Sequence, residues 1–372
     1  MEKNRLLILP FLAGLVLMGI SWYLSYPIYV VSANDVVFNH VSILYWFSLP
    51  LLLASMFLMA VTTKSNFLKW ILSIGIVLTF FSLAYFYSMM PTGDSQYFRG
   101  LTEYFIKTKS LDPSQLNHDY YQWPAYFILA DIVTSVSGLP LANYEFLLYT
   151  IIGFLLTTAL YVYASKKHKM AGFLTVAAFF ISIYYFIDYQ SAPFSLALVL
   201  LFLLFMLETR QKSTGLMVTM LVLYASLLFT HVFVPLFFVL YLLVRSLLDK
   251  NRQIRSFYRS LFLFALVCYF LVELTIAKFS FGQIIINITQ APATYSYIVS
   301  QTVASSSVAI SINVIAQFFS RTVTIAFVGL CVAGLIVLLI KRKMDVLDKV
   351  ILFTGVVYSG LGVVLNTLGY AR

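Results

Sequence analysis

Charge is what this chain is short of. Only 14 acidic and 24 basic residues occur among 372, so 10% of the sequence is charged, against about a quarter in soluble domains. That shortage excludes a soluble globular protein, whose surface needs charge to stay in water. Cysteine is almost absent too. Cys268 and Cys331 both lie inside apolar runs, which excludes a disulfide framework and a cysteine metal site. The alternation of apolar and polar residues that marks barrel strands is missing, which excludes a transmembrane β-barrel. What fills the chain is hydrocarbon: 61% of residues are hydrophobic and 17% aromatic, with a mean hydropathy of +0.92. A bilayer core roughly 30 Å thick needs about 20 apolar residues per helical span, so a chain of this length holds about ten spans plus loops.

Eleven apolar runs can be marked, at residues 6–24, 41–61, 70–90, 145–164, 171–187, 193–208, 216–230, 232–248, 260–278, 322–340 and 350–366. The first follows Lys3 and Arg5 but has no small-x-small cleavage site, and reads as an uncleaved span. Several runs are short, and the seventh and eighth are open to a second reading as broken or re-entrant segments. Basic residues then set the orientation. With a cytoplasmic N-terminus, 18 of the 24 basic residues fall on inside segments, leaving Arg99, Lys107, Lys109, Lys278, Arg321 and Arg372 outside. An added or deleted span would break that alternation. The net charge of +10 is therefore a topology signal, and nucleic acid is not expected as a partner. The expected architecture is an all-α polytopic bundle of about eleven spans, a single membrane domain over 1–372, embedded in the cell membrane with its working face extracellular.

The longest strongly polar stretch begins after Met90. Asp94, Arg99, Glu103, Lys107, Lys109, Asp112, His118 and Asp119 come within about thirty residues of one another. Tyr97, Phe98, Leu101, Tyr104 and Phe105 recur at helical spacing, with Arg99, Glu103 and Lys107 on another face at four-residue intervals. That pattern predicts an amphipathic helix over 95–109, lying on the membrane surface. Pro124 opens a second pattern over 125–137 that carries Asp131 and is stopped by Gly138 and Pro140. At about 1.5 Å per residue it reaches only about 20 Å, too short to span. Residues 91–140 thus form a large outer loop with two juxtamembrane helices. A second outer loop, 279–321, is rich in Ser, Thr and β-branched residues; its sequon at Asn287 carries little weight. Asp188, Gln190, Thr230 and His231 fall on the same outer side. Polar groups converging there define a binding or reaction surface, because they are costly at membrane depth.

A Gly93-Asp94 pair at the outer end of an early span, then a large outer loop with Tyr120-Tyr121-Gln122-Trp123-Pro124 leading into its second helix, resembles the C-type membrane glycosyltransferases. Gln190-Ser191-Ala192-Pro193, and Thr230-His231 ahead of Pro235, look like outer-edge motifs of prokaryotic members. The resemblance implies transfer of a sugar from a polyprenyl-phosphate donor to an acceptor hydroxyl of a glycan, lipid or protein, with an acidic residue of the first outer loop as base. Two features depart from it. Two spans precede the one equivalent to the family's first, and the soluble C-terminal domain of many members has no counterpart before Arg372. Either that domain is absent or the sequence is a membrane module of something longer.

Under that resemblance Asp94 is the base and Asp119 its competitor, although an aspartate at 94 also suits the cap of a helix beginning near Ser95. His231 and Arg321, at outer span edges, are placed to meet the donor phosphate. For Arg321 ordinary snorkelling toward head groups is the alternative. Arg99, Glu103, His118, Tyr120, Trp123, Asp188 and Gln190 are candidates to line the substrate site, with Arg99 and Glu103 also forming a helical pair. No spacing among the acidic residues and His118 is diagnostic of a metal, so the expectation is none or a weakly held divalent ion. The rival class is a transporter or flippase of a lipid-linked glycan or small solute. For that class Glu273, the main intramembrane charge, with Lys278 nearby, is the relevant residue.

Overall fold

The computed structural model describes residues 2–29, 40–87, 93–110, 119–166, 169–183, 192–208, 213–278 and 282. Among them every regular element is helical: α1 (Glu2–Ser25), α2 (Ile43–Thr62), α3 (Asn66–Phe81), α4 (Gly93–Thr108), α5 (Ala125–Ser137), α6 (Leu141–Ser165), α7 (Lys169–Ile183), α8 (Pro193–Glu208), α9 (Thr214–Leu228), α10 (Phe233–Leu248) and α11 (Arg252–Thr275). The expected runs at 322–340 and 350–366 and the loop at 279–321 lie outside the described residues.

Among the described residues five helical stretches are long and apolar enough to cross a membrane: Leu7–Ser25, Ile43–Thr62, Asn66–Phe86, Leu141–Ser165 and Arg252–Thr275. The helices α9 and α10, whose ends both lie within the described residues, have 15 and 16 residues, about 22–24 Å at 1.5 Å per residue. That is short of a bilayer core of about 30 Å. α9 and α10 are separate helices, joined through Thr230 and His231.

The chain divides into two compact units. One comprises Met1–Ser110 with Ala125–Leu223, the other Leu111–Pro124 with Tyr224–Arg372. In the first, α1 packs on α2, α2 on α3, and α3 against α6 and α7. Polar side chains start these helices where the backbone has orphan N–H groups: Ser65 Oγ accepts from Leu68 N at 3.2 Å ahead of α3, and Ser42 Oγ from Leu44 N ahead of α2. The Ser65 cap explains why α3 begins four residues before the apolar run at 70. The same run ends in a 3-10 turn, Ser82–Phe86. The centre of this unit is aromatic. Phe81 stacks on Tyr149 with centroids 4.3 Å apart and meets Phe180 edge-on at 5.5 Å. Gly153 of α6 admits that ring because it has no Cβ; one built there would lie 2.8 Å from Phe81 Cε2.

α4 and α5 pack on each other, and α5 on α6. Phe98, Leu101, Thr102 and Phe105 form the buried face of α4, while Tyr97 is exposed. α5 buries Tyr126, Phe127 and Ala130, and leaves Ile128, Ile132 and Val136 exposed along one stripe. An apolar stripe facing outward suits a helix at a membrane interface. Gly138, at φ +68°, closes α5 by donating its N–H to Thr134 O at 2.9 Å, the left-handed stop that glycine provides. Pro140 then caps α6. α6 therefore starts at Leu141, a turn earlier than the apolar run suggests, which brings Glu145 inside the helix.

In the second unit, α10 and α11 form a hairpin across a three-residue connection. Asn251 Oδ1 accepts from Gln253 N and Ile254 N to start α11. Arg245 pairs with Asp249 at 3.1 Å and lies over the Tyr258 ring at 4.8 Å. These contacts close the basic end of the hairpin, where Arg252, Arg255 and Arg259 also lie. Tyr224 OH donates to Ala265 O at 3.0 Å, fastening the end of α9 to the middle of α11.

Candidate functional site

Among the described residues each unit brings buried polar side chains together. In the first unit the set grows from α4. Residue 94 is the second residue of the helix rather than a cap in front of it. One turn on, Arg99 Nε donates to Glu103 Oε1 at 3.1 Å, the expected i,i+4 pair. Arg99 also reaches across to α6, with Nη1 4.0 Å from Oε2 of Glu145. Glu145 is 2% exposed. At 4.0 Å these two atoms attract without hydrogen bonding, and Arg99 Nη1, Glu145 Oε2 and the neighbouring Tyr144 hydroxyl are buried without a hydrogen-bond partner. Glu145 is a functional candidate that the sequence reading missed. Its signal was there: a lone carboxylate one turn inside a helix that opens at Pro140.

The far end of α4 is tied to α5. Lys109 adopts φ +55°, ends the helix by donating its N–H to Phe105 O at 2.7 Å, and forms a salt bridge with Asp131. The lysine ammonium holds the Asp131 carboxyl below its ordinary range, with Ser135 Oγ donating to the same oxygen at 3.0 Å.

In the second unit the cluster gathers where the Tyr120–Trp123 turn meets α11. Trp123 N donates to Tyr120 O at 3.0 Å and closes the turn. Tyr121, Gln122 and Trp123 are all buried. Trp123 Nε1 donates to Oε1 of Glu273 at 3.4 Å, across 150 residues of chain. Glu273 is 0% exposed, and its Oε2 has no hydrogen-bond partner. His231 stands just before α10. Since α10 and α11 run antiparallel, His231 shares the hairpin end that carries Glu273. Its Nδ1 accepts from Phe233 N at 3.1 Å, which makes Nε2 the protonated nitrogen of the neutral ring. Burial pushes its pKa down to about 4, so the ring is neutral at physiological pH and offers a hydrogen-bond donor rather than a charge.

Of the candidate residues, Arg99, Glu103, Tyr120, Trp123 and His231 are described with their side chains. Arg99 and Glu103 come together in the first unit; Tyr120 and Trp123 share one turn in the second. For Asp94 and Asp119 the structure describes the backbone alone, the latter opening the short 3-10 turn Asp119–Gln122. His118, Asp188, Gln190 and Arg321 lie outside the described residues. Among the described side chains no three His, Cys, Asp or Glu groups converge in a metal-holding set; of Asp94, Asp119, His118, Asp188 and Glu103, the ligands a weak divalent site would draw on, Glu103 alone has a described side chain.

Compared with family models, with curated proteins and with solved structures, the chain matches none.

Proposed function

We propose that this chain is an integral-membrane glycosyltransferase that takes a sugar from a polyprenyl-phosphate donor on the outer face of the cell membrane. The observation that carries the reading is the amphipathic α4, opening with Gly93-Asp94 just beyond the third apolar stretch and followed by the short α5. This is the arrangement that the resemblance to C-type membrane glycosyltransferases calls for. In the proposed reaction Asp94 accepts the proton of the acceptor hydroxyl while its oxygen attacks the anomeric carbon. The bond from that carbon to the donor's phosphate oxygen breaks, the lipid phosphate leaves with the electron pair, and configuration inverts. Charge grows on the departing phosphate. Arg321 meets it as a cation, and His231 through Nε2–H as a neutral donor. Arg99, Glu103, His118, Tyr120, Trp123, Asp188 and Gln190 line the space for the sugar and the acceptor.

The test is substitution of the two rival bases. Asp94→Asn keeps shape and much of the helix-start interaction but removes the base, so transfer falls by about 10²–10⁴-fold with donor binding little changed. Full activity of Asp94→Asn together with a dead Asp119→Asn moves the base to Asp119. Full activity of both rejects the mechanism. The side is tested separately: cysteines at Ser95 and Ser165 should label oppositely with an impermeant thiol reagent in intact cells, and labelling of Ser165 alone reverses the orientation.

A transporter or flippase is the second reading, and the buried Glu273 in α11 favours it, because carboxylates in spanning helices commonly mark a path for ions or substrate. Retained transport with both aspartates replaced would select it.

A further inference from the structure

The tip of the α10–α11 hairpin is crowded with cations. Over residues 245–259 it carries Arg245, Lys250, Arg252, Arg255 and Arg259 against a single acid, Asp249, and that acid is held by Arg245 at 3.1 Å within the hairpin. Lys250, Arg252, Arg255 and Arg259 are all exposed. Positive charge on one side of a membrane sets orientation, but orientation is indifferent to which face of a helix the charges occupy. Here the face is specific. At about 100° per residue, Arg252, Arg255 and Arg259 lie within about 60° of one another on α11. The same stripe continues along the helix as Leu263, Val267, Phe270 and Leu274, all exposed, while Tyr258, Leu261, Ala265, Tyr269 and Val272 form the buried face.

An exposed apolar stripe on a helix long enough to span is the side that meets lipid tails. α11 has 24 residues, about 36 Å at 1.5 Å per residue, against a hydrocarbon core of about 30 Å. The surplus of about one turn carries the arginine end into the layer of lipid phosphates, on the lipid-facing side. Side chains three and four residues apart on one helix face stand about 5–6 Å apart at Cβ, and each guanidinium presents a planar fork that pairs with two phosphate oxygens. The helix-start N–H groups do not carry the site, since Asn251 Oδ1 already accepts from Gln253 N and Ile254 N. We propose that Arg252, Arg255 and Arg259 form a binding stripe for the head group of an anionic phospholipid whose acyl chains lie along Leu263, Val267, Phe270 and Leu274. A zwitterionic lipid offers the same phosphate but brings its own ammonium to the cations, so net negative charge is what the stripe selects. The stripe lies at the opposite end of α11 from Glu273, and it does not depend on the glycosyltransferase reading.

Binding is measured on the full chain, purified in mild detergent, by native mass spectrometry as phosphatidylglycerol or phosphatidylcholine is added. Phosphatidylglycerol should bind at least about tenfold more tightly than phosphatidylcholine. The combined variant Arg252→Gln, Arg255→Gln and Arg259→Gln should lose that preference, since each arginine beside an anionic surface is worth about fivefold. Removing the same charge elsewhere, with Lys64→Gln, Lys166→Gln and Lys167→Gln together, should leave the preference in place. If the triple arginine variant does not fold, the three single variants should each weaken phosphatidylglycerol by about fivefold and leave phosphatidylcholine unchanged. Equal binding of the two lipids, a preference retained in the arginine variants, or an equal loss in the lysine variant overturns the proposal. Displacement of phosphatidylglycerol by an equal concentration of glycerol phosphate overturns it too, because the ligand would then be a soluble phosphate rather than a lipid.

Discussion

Removing Arg99 should destabilise the first unit far more than neutralising its partner Glu145. The two charges are 4.0 Å apart, worth about 4 kcal/mol at an effective dielectric of about 20. They are not equivalent. Arg99 is 25% exposed and keeps Glu103 at 3.1 Å, whereas Glu145 is 2% exposed and Arg99 is the basic group that the described residues place beside it. Arg99→Met therefore strands a buried carboxylate, at a cost of about 3 kcal/mol, the lower end of the range for breaking a buried pair because Arg99 is partly solvated. Glu145→Gln leaves an arginine with a second partner and access to water, and should cost about 1 kcal/mol or less. The double variant should be more stable than Arg99→Met alone, since the stranded charge is gone. SDS titration in mixed micelles, followed by circular dichroism, reads all three. Equal costs for the two single variants, or a double variant that simply adds them, would refute the reasoning.

Three further outcomes follow from local geometry. Lys109→Ala should destabilise the α4–α5 pair more than Lys109→Gly, because both lose the Asp131 salt bridge but only glycine relieves the left-handed backbone; equal melting temperatures would contradict this. His231 has a folded-state pKa held near 4 by burial, below the ordinary value of about 6.5, so its neutral form is the one the fold favours. Stability of the second unit should be full above about pH 6.5 and decline as pH falls toward 4; His231→Asn, which can still accept from Phe233 N, should flatten that slope in pH-dependent unfolding. Gly153→Ala should lower stability by about 1 kcal/mol or more, because its Cβ meets a Phe81 ring held between Tyr149 and Phe180. Gly19→Ala, with nothing within 4 Å of its Cβ, should be neutral or stabilising in the same melt.

The parts of the fold that were legible are those set by neighbours in sequence. Pro124 and Gly138 bracket α5 at the residues expected, since a proline start and a left-handed glycine stop act within one turn. The Arg99–Glu103 pair is an i,i+4 contact and reads directly from spacing. Helix starts were less visible: the Ser65 side chain draws α3 back past Lys69, and α6 begins at Leu141, right after Pro140 and ahead of Glu145. Pairings across long stretches of chain could not be read at all. Arg99 finds Glu145 and Trp123 finds Glu273 because helices pack, and no periodicity within either segment carries that information. The lengths of α9 and α10 also depart from an even set of full spans, because hydropathy marks apolar residues without marking where the backbone stops being helical. Asp94 shows the limit from the other side: its place in the first turn of α4 is set by the backbone, while its chemistry rests on the resemblance.

The most direct test of the central claim is sugar transfer by the purified chain in proteoliposomes, with a panel of polyprenyl-phosphate hexoses and a glycolipid acceptor, read as product with its anomeric configuration. Transfer from at least one lipid-phosphate donor, with inversion at the anomeric carbon, is the predicted result. No transfer from any of them, or a product of retained configuration, would contradict it.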